Sequence, residues 1–152
     1  MKRPPTRLNS RSQSLEEKNG KLELIIQKLV ERSKEDAIIL VEGVKDVRSL
    51  RQVGVTGKII AIKNIQIPLY DYLRKYVDTK EEIIVLTDFD RRGTQLAGKM
   101  TNYFERSGKP VNLTFWLKMN GFISRDIKDI EGLASYVQTI QRKCGKHPPL
   151  LY

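Results

Sequence analysis

The strongest constraint on the fold of this chain is the stretch at residues 83–93, IIVLTDFDRRG. Apolar and β-branched side chains run into two aspartates one residue apart, then into two arginines and a glycine. A short continuous apolar run with polar turn residues behind it suits a strand buried on both faces. Residues 37–46, AIILVEGVKD, have the same form, and here the apolar run ends at Glu42. Two buried strands that both end in acid are the frame on which the remaining chain can be placed.

The other segments alternate helix and strand. Leu22, Ile25, Ile26, Leu29 and Val30 recur at helical spacing, so residues 15–35 read as an N-terminal helix, clearest from Lys21 onward because Gly20 weakens its start. Residues 45–53 form a short helix stopped by Gly54, and 58–62, KIIAI, a second strand. Pro68 opens a helix with Leu69, Tyr72, Leu73, Tyr76 and Val77 on its apolar stripe; residues 83–87 are the third strand. Leu96, Ala97, Met100 and Phe104 mark a helix ended by Gly108. Residues 111–117 alternate apolar and polar and predict a fourth, less buried strand at an edge, followed by a loop at 119–125. A last helix is expected at 127–142. Short links between alternating elements predict an α/β domain, a parallel sheet covered by helices on both faces. The domain spans 36–142, between a flexible basic arm at 1–14 with the helix behind it and an irregular tail at 143–152.

In open parallel sheets, sites form outside the C-terminal ends of strands, near a switch in strand order. If the third strand lies beside the first, Glu42 and Asp88 become neighbours and Asp90 joins them from the turn. Three clustered carboxylates repel one another, which raises at least one pKa unless a cation neutralises them. A hard divalent ion with oxygen ligands fits, Mg2+ first, with Mn2+ as a substitute. Lys45, Arg91 and Arg92 are placed to hold phosphate oxygens, or simply to offset the local negative charge. Asp46 can cap or brace the site, and Gly43 and Gly93 let backbone approach substrate closely. The plainer alternative is a polar turn with a helix cap. The pairing of two acidic strand tips favours the site.

Charge supports a polyanionic partner: 28 Lys+Arg face 18 Asp+Glu, a formal net charge of +10. Cys144 is the one cysteine, so no disulfide can form within the chain, and a reducing, cytoplasmic setting is expected. No apolar run approaches the roughly 20 residues of a membrane span. The one histidine, His147, stands beside Pro148 and Pro149, which gives little support to a Ser-His-Asp arrangement, and the chain lacks the ligands of a zinc site.

VEGVKD and TDFDRRG together resemble the Toprim domain, shared by topoisomerases, bacterial-type primases, overcoming-lysogenization-defect nucleases and the ribonuclease that matures the small ribosomal RNA. The likeness covers roughly residues 36–142. It implies a Rossmann-like sheet of four mostly parallel strands flanked by helices, a general acid/base role for Glu42, and magnesium binding by Asp88 and Asp90. Topoisomerase members usually carry a third carboxylate where Arg92 stands here. The site therefore looks closer to the D-x-D-x-x-G form of primases and of the maturation ribonuclease, and the chain is most similar to small stand-alone members. A topoisomerase would also need a domain bearing an attacking tyrosine, and a primase a zinc module. The expectation is Mg2+-dependent cleavage of nucleic acid, RNA favoured and DNA the alternative. Two other readings use the same residues: a non-catalytic nucleic-acid-binding subunit, and primase-like nucleotidyl transfer. The N-terminal helix can cover the sheet or offer its apolar stripe to a protein partner.

Overall fold

The computed structural model describes residues 7–145, with side chains from residue 15. Four parallel strands form one sheet in the order β2-β1-β3-β4. They are β1 (Ile38–Val41), β2 (Lys58–Ala61), β3 (Ile83–Val85) and β4 (Val111–Asn112). Every residue of β1 and β3 is buried, as a strand covered on both faces requires. β1 and β3 are neighbours, with Leu40 level with Val85, and the Leu86 amide continues the ladder to the Leu40 carbonyl at 2.9 Å. Glu42 and the TDFD turn therefore leave the sheet side by side at its C-terminal rim.

The helices are α1 (Arg7–Lys34), α2 (Val44–Gln52), α3 (Leu69–Leu73), α4 (Arg91–Arg106), α5 (Thr114–Ile123) and α6 (Leu133–Lys143). α4 packs on β3 and β4, α5 on β3, and α1 on α5 and α6. The core is aliphatic at the centre, Ile39, Leu40, Ile83 and Ile84, closed by Leu29, Met100, Phe104 and Met119 from the helices. Among the described residues no helix is long and apolar enough to cross a membrane.

Three expectations need correction. α1 begins at Arg7 and runs through Gly20, so residues 7–14, expected in a flexible arm, are helical; residues 1–6 and 146–152 lie outside the described residues. A single glycine costs about 1 kcal/mol in a helix, and good helix formers at 15–18 together with the buried stripe Leu22, Ile26 and Leu29 outweigh it. That stripe belongs to the core, so α1 covers the fold with it and does not present it to a partner. The expected strand at 111–117 and loop at 119–125 are instead the two-residue β4, at the sheet edge, and the helix α5. The Asn112 side-chain oxygen accepts the Thr114 amide at 2.8 Å and starts the helix. Phe115, Trp116, Met119 and Ile123 are buried at helical spacing, while Leu117, inward on a strand reading, is 57% exposed. The last helix starts at Leu133 after one 3-10 turn, Ile130–Gly132, whose cap Asp129 accepts the Gly132 amide at 2.9 Å.

Asp126, in the link between α5 and α6, ties three segments. Its Oδ2 accepts the Tyr136 hydroxyl at 2.5 Å and Lys18 Nζ at 3.0 Å, which together hold its carboxyl below the usual range. A depressed carboxylate pKa adds stability above its unfolded value, roughly 3.9, and that stability is lost as pH falls through the lower folded value. Asp126→Asn should therefore lower the melting temperature at pH 7, with the gap to wild type closing below about pH 3. Thermal melts across pH check this; a gap that persisted at pH 2 would contradict the ion-pair account.

Candidate functional site

β1 delivers Glu42 to the rim, where its carbonyl accepts the Lys63 amide at 2.8 Å and its side chain stays buried, 6% exposed. One carboxylate oxygen, Oε1, is buried with no hydrogen-bond partner, and Oε2 lies 3.9 Å from Lys63 Nζ. A buried, unsatisfied carboxylate oxygen is costly. Asp88 comes from the turn after β3. Its Oδ1 accepts the Ile130 amide at 3.1 Å, and its side chain lines the same cavity as that of Glu42. Burial, reinforced by Glu42, pushes Asp88 up to about 7. A carboxyl raised this far, by burial first and a second acid next, ionises more readily beside a cation.

Asp90 is the N-cap of α4, and its Oδ1 accepts the Gly93 amide at 2.7 Å. Oδ2 has no bonded partner among the described residues. The expected three-carboxylate cluster is thus a close pair with a neighbour at the rim: among the described residues no three His, Cys, Asp or Glu side chains are gathered as a ready-made ion cage. Glu42, Asp88 and Asp90 nevertheless line one cavity of about 310 Å³. The donor set suits a hard cation that keeps several waters and takes only one or two carboxylates, as Mg2+ does. The orphaned Glu42 oxygen and the raised pKa of Asp88 both fit such an ion.

The same cavity is lined by Lys63, Arg92, Gln95, Leu96 and Lys99. Arg92 was anticipated in the sequence. Lys63 was not, although the first residues after β2 must reach the same rim as the ends of β1 and β3. Gln95 and Lys99 stand three and seven residues after Arg92 on α4, the spacing of one helix face. Arg91 is exposed and does not line the cavity, and Lys45 points to Glu131 at 3.8 Å. Asp46 accepts the Gly43 amide at 2.9 Å and braces the β1–α2 turn. Burial raises its pKa, which that amide partly offsets.

The glycines do different work from that expected. A Cβ at Gly43 would meet only Asp46 Oδ2 at 3.8 Å, an ordinary contact. A Cβ at Gly93 would lie 2.0 Å from the Asp88 carbonyl oxygen. Gly93 therefore lets α4 close on the Asp88 backbone, with Thr87 Oγ1 donating to the Gly93 carbonyl at 2.7 Å, and this close contact is with the chain itself, not with substrate. Trp116 Nε1 supports the same turn by donating to the Thr87 carbonyl at 3.0 Å.

A strand-tip glutamate and a D-x-D turn on adjacent parallel strands define a class, and the chain belongs to the Toprim domain family, whose model matches residues 37–116. Its relatives narrow this further. A UPF0292 protein of Methanosarcina barkeri is 34% identical over 125 residues, covering 82% of this chain and 86% of the relative. Another from Methanocaldococcus jannaschii is 41% identical over 105 residues, covering 68% and 80%. Among solved structures, a putative protein from Aquifex aeolicus superposes with a TM-score of 0.59 at 26% identity, over 70% of this chain and 93% of that one. Membership in this family associates the chain with metal-dependent work on nucleic acid.

Two glycines of α4, one in its first turn and one at its middle, give a direct contrast. Gly93→Ala should destabilise the protein by about 1–3 kcal/mol, because backbone must move to admit the methyl group. Gly98→Ala, with nothing within 4 Å of the new Cβ, should stabilise it by up to about 1 kcal/mol through helix propensity. Urea unfolding of both variants reads the difference; equal effects would contradict the close approach at Gly93.

Proposed function

We propose that this protein cleaves phosphodiester bonds in nucleic acid with the help of a bound Mg2+ ion, acting on structured RNA ahead of DNA. The observation that carries this reading is the pairing of buried Glu42, with one unsatisfied oxygen, and half-buried Asp88 on a cavity ringed by Lys63, Arg92 and Lys99. Asp88 and Asp90 would hold the ion, which when bound supplies Lewis-acid polarisation of the phosphoryl group. Glu42 is the proton-transfer group: it takes a proton from the attacking water as the new oxygen–phosphorus bond forms, or returns one to the departing oxygen as the old bond breaks. Lys63, Arg92 and Lys99 hold phosphate oxygens and offset the charge that develops on them. Lys45 is not assigned to this role, because its ammonium faces Glu131. The preference for RNA rests on the D-x-D-x-x-G form of the turn, in which Arg92 stands where topoisomerases carry an acid.

A second reading, a subunit that binds nucleic acid without cutting it, is favoured by the absence of a preformed three-ligand cage among the described residues. It predicts salt-sensitive binding and no turnover. Nucleotidyl transfer would use the same carboxylates with a hydroxyl as the attacking group.

Cleavage assays on labelled RNA hairpins, single strands and DNA duplexes separate these readings. Cleavage should require Mg2+ and stop with EDTA. Glu42→Gln should slow it roughly 10²–10⁴-fold, the usual range for losing a general acid–base group. Cleavage by Asp88→Ala at the wild-type rate would rule out the assigned site, and salt-sensitive binding with no cleavage of any substrate would favour the second reading.

A further inference from the structure

Beyond the carboxylate cavity, the exposed surface is organised along α4. At 100° per residue, Arg92, Lys99, Tyr103 and Arg106 fall within about 60° of one another around the helix. Ala97, Met100 and Phe104 are buried in a different sector, and Glu105, the one acid of this helix, falls about 100° away from Arg106. Among the described residues, none of Arg92, Lys99 and Arg106 is paired with a carboxylate. Lys99 lines two cavities: that of Glu42 and Asp88, and a second of about 390 Å³ formed with Tyr70, Asn102, Tyr103 and Arg106. In the second, Tyr70 from α3 lies flat on Tyr103, ring centroids 5.0 Å apart and planes 12° from parallel. Tyr70 is 47% exposed, unlike Tyr76, which is buried with its hydroxyl 3.3 Å from that of Tyr72. The core therefore has little need of the Tyr70 ring, which lies open beside two cations.

We propose that this face binds an unpaired nucleic-acid strand, with a base stacking at Tyr70, phosphates on Lys99 and Arg106, and the strand continuing past Arg92 to the Glu42–Asp88 cavity. The stacking and charge pattern define the binding surface; the strand's delivery to a reacting centre rests on the function proposed above. From Arg92 to Tyr103 the helix rises about 16 Å at 1.5 Å per residue. That is room for about five nucleotides at the 3.4 Å spacing of a stacked strand. An aromatic platform among cations favours single strands, because a duplex hides its base faces whereas an unpaired base can stack on a ring.

Fluorescence anisotropy with the full chain in EDTA measures binding apart from cleavage, using labelled single strands of about 12 nucleotides, RNA and DNA, and a blunt duplex. Wild type should bind either single strand more tightly than the duplex. Tyr70→Ala should weaken single-strand binding roughly tenfold with duplex binding unchanged, and Tyr70→Phe, which keeps the ring, should stay within about twofold of wild type. Lys99→Ala and Arg106→Ala should each lower the salt dependence by about one phosphate contact. Lys99→Ala, Arg106→Ala and Tyr70→Phe should melt as wild type does, and Tyr70→Ala, which loses the stack on Tyr103, should stay folded with a slightly lower melting temperature. Single-strand binding by Tyr70→Ala equal to wild type, or a duplex bound as tightly as the single strand, would overturn the proposal. Absence of cleavage in Mg2+ with this binding pattern intact would remove the hydrolytic reading and support the strand-binding surface on its own.

Discussion

The structure turns on the meeting of two acidic side chains at the tips of adjacent, fully buried parallel strands. Parallel pairing of β1 with β3 fixes their register, and the register leaves Glu42 beside the turn that carries Asp88. Glu42 is buried and Asp88 half-buried at the rim of strands that are packed on both faces. The resulting desolvation and repulsion oppose stability in the free protein. Such strain tends to concentrate at functional sites.

The chain supports this pair with backbone as much as with side chains. The Ile130 amide reaches Asp88, the Phe89 amide donates to the Lys128 carbonyl at 2.7 Å, and Trp116 reaches Thr87. The C-terminal segment before α6 therefore presses on the D-x-D turn from one side, while α4 closes from the other through Gly93. Rigid elements on both sides of a reacting group keep its geometry within the narrow range that positioning requires. The cations that ring the cavity come from two elements, Lys63 after β2 and Arg92 and Lys99 on α4, so their placement and that of the carboxylates depend on the same sheet order.

The acidic tips were legible in the sequence because buried strands write themselves as continuous apolar runs, and 37–41 and 83–87 are the clearest in the chain. The parallel sheet followed from alternation of elements. The α5 segment was not legible: over seven residues, 111–117, the apolar positions fit a two-residue period, and only the burial of Met119 and Ile123 reveals the helical one. Gly20 hid the first half of α1, since local propensity cannot foresee the tertiary packing that overrides it. In the site, Lys63 depends on sheet order, which no local pattern encodes. Lys45 lies close to Glu42 in sequence but on a helix that turns it toward Glu131. Gly93 was noticed for the right flexibility and the wrong neighbour.

The central claim is that Asp88 and Asp90, facing Glu42 across one cavity, form a cation site that the isolated chain leaves electrostatically unsatisfied. Anomalous diffraction from crystals soaked in Mn2+ tests it most directly. A peak within coordination distance of an Asp88 carboxylate oxygen, on the side facing Glu42, is the predicted result. No peak there, with the two side chains still lining one cavity and the ion bound elsewhere, would contradict it.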